Sequence, residues 1–99
     1  MIFVDKLAVY SNDQLSDINK RYDLFTKWSH LFSDNDEKEL HDFALKLGLK
    51  KEWFKNIKNF PHYDIVESKR KLAIQLGARE INLRVYLKAR QINLHKKLF

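Results

Sequence analysis

No cysteine occurs in the 99 residues, and that absence bounds the fold and the chemistry together. Disulfides, thiolate nucleophiles and thiolate metal sites are all excluded, so an apolar core alone must hold the chain. A hydrophobic fraction of 44%, with seven Phe, four Tyr and two Trp, supplies such a core and argues against intrinsic disorder. The length suits one domain near the lower edge of single-core size. The longest uninterrupted apolar runs, such as Leu7–Tyr10, are only a few residues, too short to span a bilayer. The opening Met-Ile-Phe-Val-Asp lacks the basic region and small-residue cleavage site of a signal peptide. A cytoplasmic domain without a membrane partner is the expectation.

The apolar run 2–4 predicts a buried strand, which Leu7–Tyr10 prolongs or follows with a second. Ser11–Lys20 is polar and without a period, and reads as a loop with room for one helical turn. In the aromatic stretch 21–32, Trp28, His30 and Phe32 alternate with Ser29 and Leu31, as in a short strand or an extended entry to a helix. That helix is the clearest element. Ser33 and Asp34 offer caps, and Leu40, Phe43, Ala44 and Leu47 form a stripe at helical spacing. Gly48 then stands where a left-handed C-terminal cap is wanted.

Residues 50–58 carry Trp53, Phe54 and Ile57 among four lysines and predict a short amphipathic helix, broken at Phe60-Pro61. Asp64 with Glu67 resembles a capping box, starting a helix that runs to Gly77 and buries Ile65, Leu72, Ala73 and Leu76. A short strand at 78–81 follows, and Asn82 caps a basic C-terminal helix over about 82–97 lined by Leu83, Leu87 and Leu94. The pattern predicts an α/β chain of the mixed α+β kind, a small sheet with three to four packed helices in a single domain.

Charge is unevenly placed. Residues 1–64 carry ten Lys/Arg and eleven Asp/Glu, whereas residues 65–99 carry nine Lys/Arg and two Glu, a surplus of +7. Such a tail attracts phosphates or acidic partners, and it equally serves as a solvated helical face. Fourteen Lys against five Arg, with seven Asn, seven Ile and two Gly, suggest an AT-rich genome, either a low-GC bacterium or a virus infecting one.

Several rare residues recur together in order. They are Met1-Ile2-Phe3-Val4-Asp5, Trp28-Ser29-His30-Leu31-Phe32-Ser33-Asp34, Glu39-Leu40-His41-Asp42-Phe43-Ala44 with Leu47-Gly48, and His62-Tyr63-Asp64 with Arg70, Ala73 and Leu76-Gly77-Ala78. In these pieces the chain resembles the family called domain of unknown function 4031, over about residues 28–81 and the first strand. Lys6–Lys27 is longer than that family's first connection and has no proline, and Trp53–Pro61 extends the stretch before His62. The resemblance implies a set of positions and no reaction.

Three of the four histidines, His30, His41 and His62, fall in those pieces, and imidazole suits proton transfer, metal ligation and phosphate binding. Singly, each has a structural reading: His30 as a satisfied imidazole among aromatics, His41 as a boundary residue, His62 as part of a turn. Together with Asp5, Asp34 and Arg70 they predict a shared polar pocket. Trp28 and Tyr63, or Trp53, could stack on a base; core packing is the plainer reading for Trp53 and Phe54.

Our leading expectation is a small-ligand-binding domain that takes a phosphorylated nucleotide-type molecule through His30, His41, His62, Asp5, Arg70, Trp28 and Tyr63, and sequesters or processes it. In a viral setting the ligand would be a host nucleotide signal. Such a domain needs no cofactor. One alternative is a metal-dependent hydrolase in which the three imidazoles join Asp5 or Asp64 around zinc or manganese, although the His spacings of 11 and 21 residues match no local metal motif. Hydrolysis without metal would use His41 or His62 as base, oriented by Asp5 or Asp64. A nucleic-acid-associated protein acting through Arg84, Lys88, Arg90, Lys96 and Lys97 is the last alternative, without a binding signature to support it. A homo-oligomer is compatible with all of these.

Overall fold

The computed structural model describes residues 1–9 and 27–98, with side chains described up to residue 90. In chain order the elements are β1 (Ile2–Val4), β2 (Ala8–Val9), β3 (Lys27–Ser33), α1 (Glu37–Lys46), a 3-10 turn at Lys51–Trp53, β4 (Lys55–Ile57), β5 (Phe60–Val66), α2 (Glu67–Gln75), β6 (Arg79–Glu80) and α3 (Leu83–Leu98). The strands form one sheet in the order β4-β5-β3-β1-β6, with β2 paired to β3 beside β1. Pairing is antiparallel except between β1 and β6. This is the mixed α+β class read from the sequence.

Strand alternation divides the sheet into two faces with different chemistry. On one face Val4 lies opposite Leu31, and Leu31 opposite Tyr63. These residues, with Ile2 and Ile65, close on Leu40 and Ala44 of α1, on Leu47 at its C-terminal cap and on Ala73 of α2, all at or below 6% exposure. The stripe read at 40–47 therefore packs where its period demands, and burying each such aliphatic side chain contributes about 1.5–3 kcal/mol. On the other face Phe3 lies opposite Phe32, and His30 opposite Asp64. Tyr86 of α3 covers the aromatic end of that face, with ring centroids 4.8 Å from Phe32 and 6.2 Å from Phe3.

Several local expectations are corrected. Asp36 caps α1, accepting the Glu39 N–H at 2.7 Å; Asp34 instead meets the Met1 ammonium at 2.9 Å, and Ser33 donates to Glu39. Residues 50–58 are not a helix. They form the 3-10 turn and β4, and Lys58 and Asn59 take positive φ of 52° and 59°, the two-residue turn whose twist suits a hairpin. Pro61 does not end an element; it lies in β5 opposite Asn56. Asp64 is a strand residue, and α2 starts at Glu67 without a side-chain cap. Leu76 is exposed, so α2 buries less than the sequence suggested.

Other readings hold. Gly48 and Gly77 end their helices with φ of 77° and 110°, a region that costs glycine least. The Asn82 side chain accepts the Val85 N–H at 3.1 Å. The loop read at 11–20 and the aromatics Tyr22 and Phe25 lie outside the described residues, as does the side chain of Leu94. Among the described residues no helix is long and apolar enough to cross a membrane.

Candidate metal centre

The second face of the sheet gathers the polar chemistry. His62 and Asp64 are two residues apart on β5, so both project to one side. The register then sets His30 of β3 against Asp64 and Lys55 of β4 against His62. Four polar side chains from three adjacent strands thereby meet beside the aromatic patch. The His30 and His62 rings stand edge to face, 5.1 Å apart, and His62 stacks on Phe60 at 4.8 Å. Phe32 braces Phe60 from below at 5.2 Å.

Hydrogen bonds fix which nitrogen of each imidazole faces the centre. His62 Nδ1 lies 2.8 Å from the Phe60 carbonyl oxygen, which can only accept, so Nδ1 carries the hydrogen and Nε2 is left for the centre. His30 Nδ1 lies 2.6 Å from Asp5 Oδ2, which assigns its hydrogen in the same way. The two Nε2 atoms then point to one oxygen, Asp64 Oδ1, at 3.4 Å from His62 and 3.9 Å from His30. The other carboxylate oxygen, Oδ2, accepts from Lys55 Nζ at 2.9 Å.

Asp5 is 6% exposed. Its carboxylate also accepts from the Ser29 hydroxyl at 2.9 Å and from the His30 backbone N–H at 2.6 Å. Arg70 reaches over from α2, with Nε donating to the Asp5 carbonyl at 2.9 Å and Nη2 3.1 Å from Glu80. It thus anchors the end of β1, and through it the orientation of His30.

The electrostatics follow from this packing. Burial, the largest influence on Asp64, pushes its pKa up; a hydrogen bond and charge from His62, in the form whose Nε2 also carries a hydrogen, and from Lys55 together outweigh it and bring the carboxyl down to about 2. For His30, burial again acts most strongly and disfavours the cation. The Asp5 carboxylate, with help from Asp64, prevails and raises the imidazole above its ordinary value.

His30 Nε2, His62 Nε2 and an Asp64 oxygen form a set of donor atoms all within 4.8 Å of one another. Bonds of about 2.0–2.2 Å in a tetrahedral zinc site place donors roughly 3.3 Å apart, so side-chain movements of about 1 Å close the set. Both imidazoles already donate their other N–H, one to a carboxylate and one to a backbone carbonyl, as metal-bound histidines usually do.

The candidate residues read from the sequence are only partly brought together. Asp5, His30 and His62 meet here, with Trp28 buried on the same face two residues from His30. His41 and Tyr63 are on the opposite face, where His41 Nδ1 and the Tyr63 hydroxyl are 2.8 Å apart and Phe54 packs against the imidazole at 4.6 Å. A set of three imidazoles is therefore replaced by two imidazoles and Asp64, with Asp5 one bond further out. Asp34 lies at the far end of β3, on the rim of a cleft of about 620 Å³ between that loop and Tyr86 and Arg90. That cleft holds no imidazole, so concavity and donor chemistry do not coincide.

Lys55 was missed as a site residue, hidden in a stretch that looked helical. Asp64 was weighed as a ligand but placed at a helix start. The signal that could have found it is the His-x-Asp alternation at 62–64, since a strand puts both side chains on one face.

No curated protein and no solved structure matches the chain. Residues 9–93 match the model of a family described as protein of unknown function (DUF4031). That span takes in His30, Lys55, His62, Asp64 and Arg70, while β1 and Asp5 precede it. On a match of this extent, the chain belongs to the DUF4031 family.

Proposed function

We propose that this protein is a divalent-metal-dependent hydrolase whose metal is held by His30, His62 and Asp64. One observation carries the reading: both histidines have their Nδ1 hydrogens taken by oxygen acceptors and turn Nε2 toward the same Asp64 oxygen. With neutral imidazoles, that arrangement aims two lone pairs at a carboxylate, and a cation between them relieves the repulsion. Two nitrogens and one oxygen suit zinc, with manganese a second choice.

Three protein ligands are what catalytic zinc sites employ, with water in the fourth position; the bound metal supplies a water acidic enough to give hydroxide near neutral pH. The residues of the chain do the rest. Asp5 holds the His30 ring in one tautomer, Ser29 and the His30 N–H hold Asp5, and Phe60 holds His62 through both its ring and its carbonyl. Loss of such supporting bonds typically costs 10–100-fold in metal affinity.

The test is calorimetric titration of chelator-treated protein with Zn²⁺ and Mn²⁺, followed by assay of ester hydrolysis with and without metal. One equivalent should bind, His62→Ala and Asp64→Asn should each lose it, and His41→Ala should bind as the parent does. Equal loss in His41→Ala, or binding unaffected by His62→Ala, would contradict this assignment.

A further inference from the structure

Lys55, on the edge strand β4, reaches the polar cluster without being a metal ligand. Its side chain is only 16% exposed, a low value for lysine, which usually keeps its ammonium in water. The hairpin turn explains how it gets there. Positive φ at Lys58 and Asn59 closes β4 onto β5 in a two-residue turn and fixes the register that sets Lys55 opposite His62. The ammonium then lands 2.9 Å from Asp64 Oδ2, while Oδ1 is the oxygen turned to the two imidazoles. A cation held by Asp64 between the two imidazoles would therefore be a near neighbour of the ammonium, across a single carboxylate.

We propose that Lys55 and the metal together hold a terminal phosphate group, so that the substrate class is the phosphomonoester. This rests on the metal reading above and extends it from an ion to a substrate. The charge count supports the choice. The charges in direct reach of a substrate, a divalent cation, the Asp64 carboxylate and the Lys55 ammonium, sum to about +2; the Asp5 carboxylate keeps its charge but lies behind the His30 ring, hydrogen-bonded to His30 and Ser29. A phosphomonoester dianion matches that sum, a carboxylate only half matches it, and a neutral ester or peptide leaves the ammonium without a counterion once the metal draws on Asp64. A tetrahedral phosphate also presents several oxygens, so that one can meet the metal while another accepts from Lys55. Neutralising Asp64 alone is the plainer role for Lys55, and it makes a different prediction.

The experiment uses Mn²⁺-loaded protein and inorganic phosphate as the probe, with acetate as the monoanionic control, followed by calorimetry. Manganese is first titrated alone into the parent protein, Lys55→Met and Lys55→Arg. Phosphate should bind the loaded parent at least tenfold more tightly than acetate. Lys55→Met should keep manganese affinity within about threefold while losing phosphate affinity at least tenfold, and Lys55→Arg should recover most of that loss. Failure of the parent protein to bind either Mn²⁺ or Zn²⁺ overturns the metal reading, and this inference with it; where only Zn²⁺ binds, the same phosphate and acetate titrations are made on the Zn²⁺-loaded protein. Manganese binding with phosphate no tighter than acetate overturns the inference alone, as does undiminished phosphate binding in Lys55→Met. Should Lys55→Met not fold, the phosphate-to-acetate ratio of the parent and the binding by Lys55→Arg still decide the matter.

Discussion

Asp64→Asn offers the most direct test of the electrostatics of the polar face, because its effect on stability must depend on pH in a way that packing cannot mimic. In the folded, metal-free protein the Asp64 carboxyl is held down to about 2 from an ordinary 3.8. A depressed carboxyl stabilises the fold above its unfolded pKa, and that contribution disappears as pH falls through the folded value. At 1.36 kcal/mol per unit, the shift is worth about 2 kcal/mol at pH 5, about 1 kcal/mol at pH 3 and well under 1 kcal/mol at pH 2. Asn keeps the shape and loses the charge. Urea unfolding of both proteins in chelator, at pH 5, 3 and 2, should show a deficit for Asp64→Asn that narrows by about 2 kcal/mol across the range. Lys55→Met should reproduce part of the same narrowing, because the Lys55 ammonium is one of the two groups that depress the carboxyl. A deficit that stays constant from pH 5 to pH 2 would refute the reasoning, since it would mean that Asp64 acts through shape alone.

The imidazole of His30 gives the opposite sign: its raised pKa stabilises the fold below about 6.5, and that contribution is lost as pH rises through the folded value. Metal bound as proposed must displace the proton of each imidazole ligand, so Zn²⁺ affinity should climb at least tenfold per pH unit below the His30 pKa and proton release should register in buffers of different ionisation heat; affinity flat from pH 5 to 7 excludes His30 as a ligand. Tyr63→Phe removes the hydroxyl shared with His41 at 2.8 Å and should cost about 1 kcal/mol in urea unfolding with metal affinity unchanged, because the pair lies on the other face; a tenfold fall in metal affinity counts against the two-face description. Phe32→Ala deletes a fully buried ring against Phe60, Tyr86 and Phe3 and should cost about 3–5 kcal/mol, so a loss below about 1 kcal/mol would show that the aromatic patch is not tightly packed. Asp36→Ala should cost about 1 kcal/mol as a lost helix cap, and an equal cost for Ser33→Ala would return the cap to the position first read from the sequence.

The sequence was most legible where one periodicity met one face. The stripe at Leu40, Phe43, Ala44 and Leu47 could only be a helix with a single buried side, and it packs as such. The strand at 28–32 was readable from alternation, although Ser29 and Leu31 are as buried as Trp28 and Phe32, because both faces of its sheet are covered. The hairpin was not readable. Lys58-Asn59 lacks the glycine that usually announces such a turn, and Trp53, Phe54 and Ile57 among lysines imitate an amphipathic helix. Proline at 61 then looked like a breaker, whereas strand residues near an edge tolerate it. Each of these misreadings came from local propensity being overruled by sheet pairing.

The candidate site was half legible for a related reason. Two of the three histidines followed in this chain without thiols, His30 and His62, do meet, but distance along the sequence does not tell which face of a sheet a residue occupies. His62 and Tyr63 are adjacent, yet one looks toward Asp64 and Lys55 and the other toward His41. His41 is thereby removed from the cluster by the thickness of a sheet, even though its neighbour in space, Tyr63, follows His62 directly. Once 60–66 is read as a strand, parity alone sorts the set. Phe60, His62 and Asp64 share one face with His30 and Phe32, and Tyr63 and Ile65 share the other with Leu31. The apolar face, together with the aromatic patch of Phe3, Phe32 and Tyr86, can then carry most of the stability, which leaves the rest of the second face free to hold two carboxylates, two imidazoles and an ammonium whose mutual attractions compensate part of their desolvation. That division of labour is why a protein of this size, without disulfides, can retain a dense polar cluster on one face of its sheet.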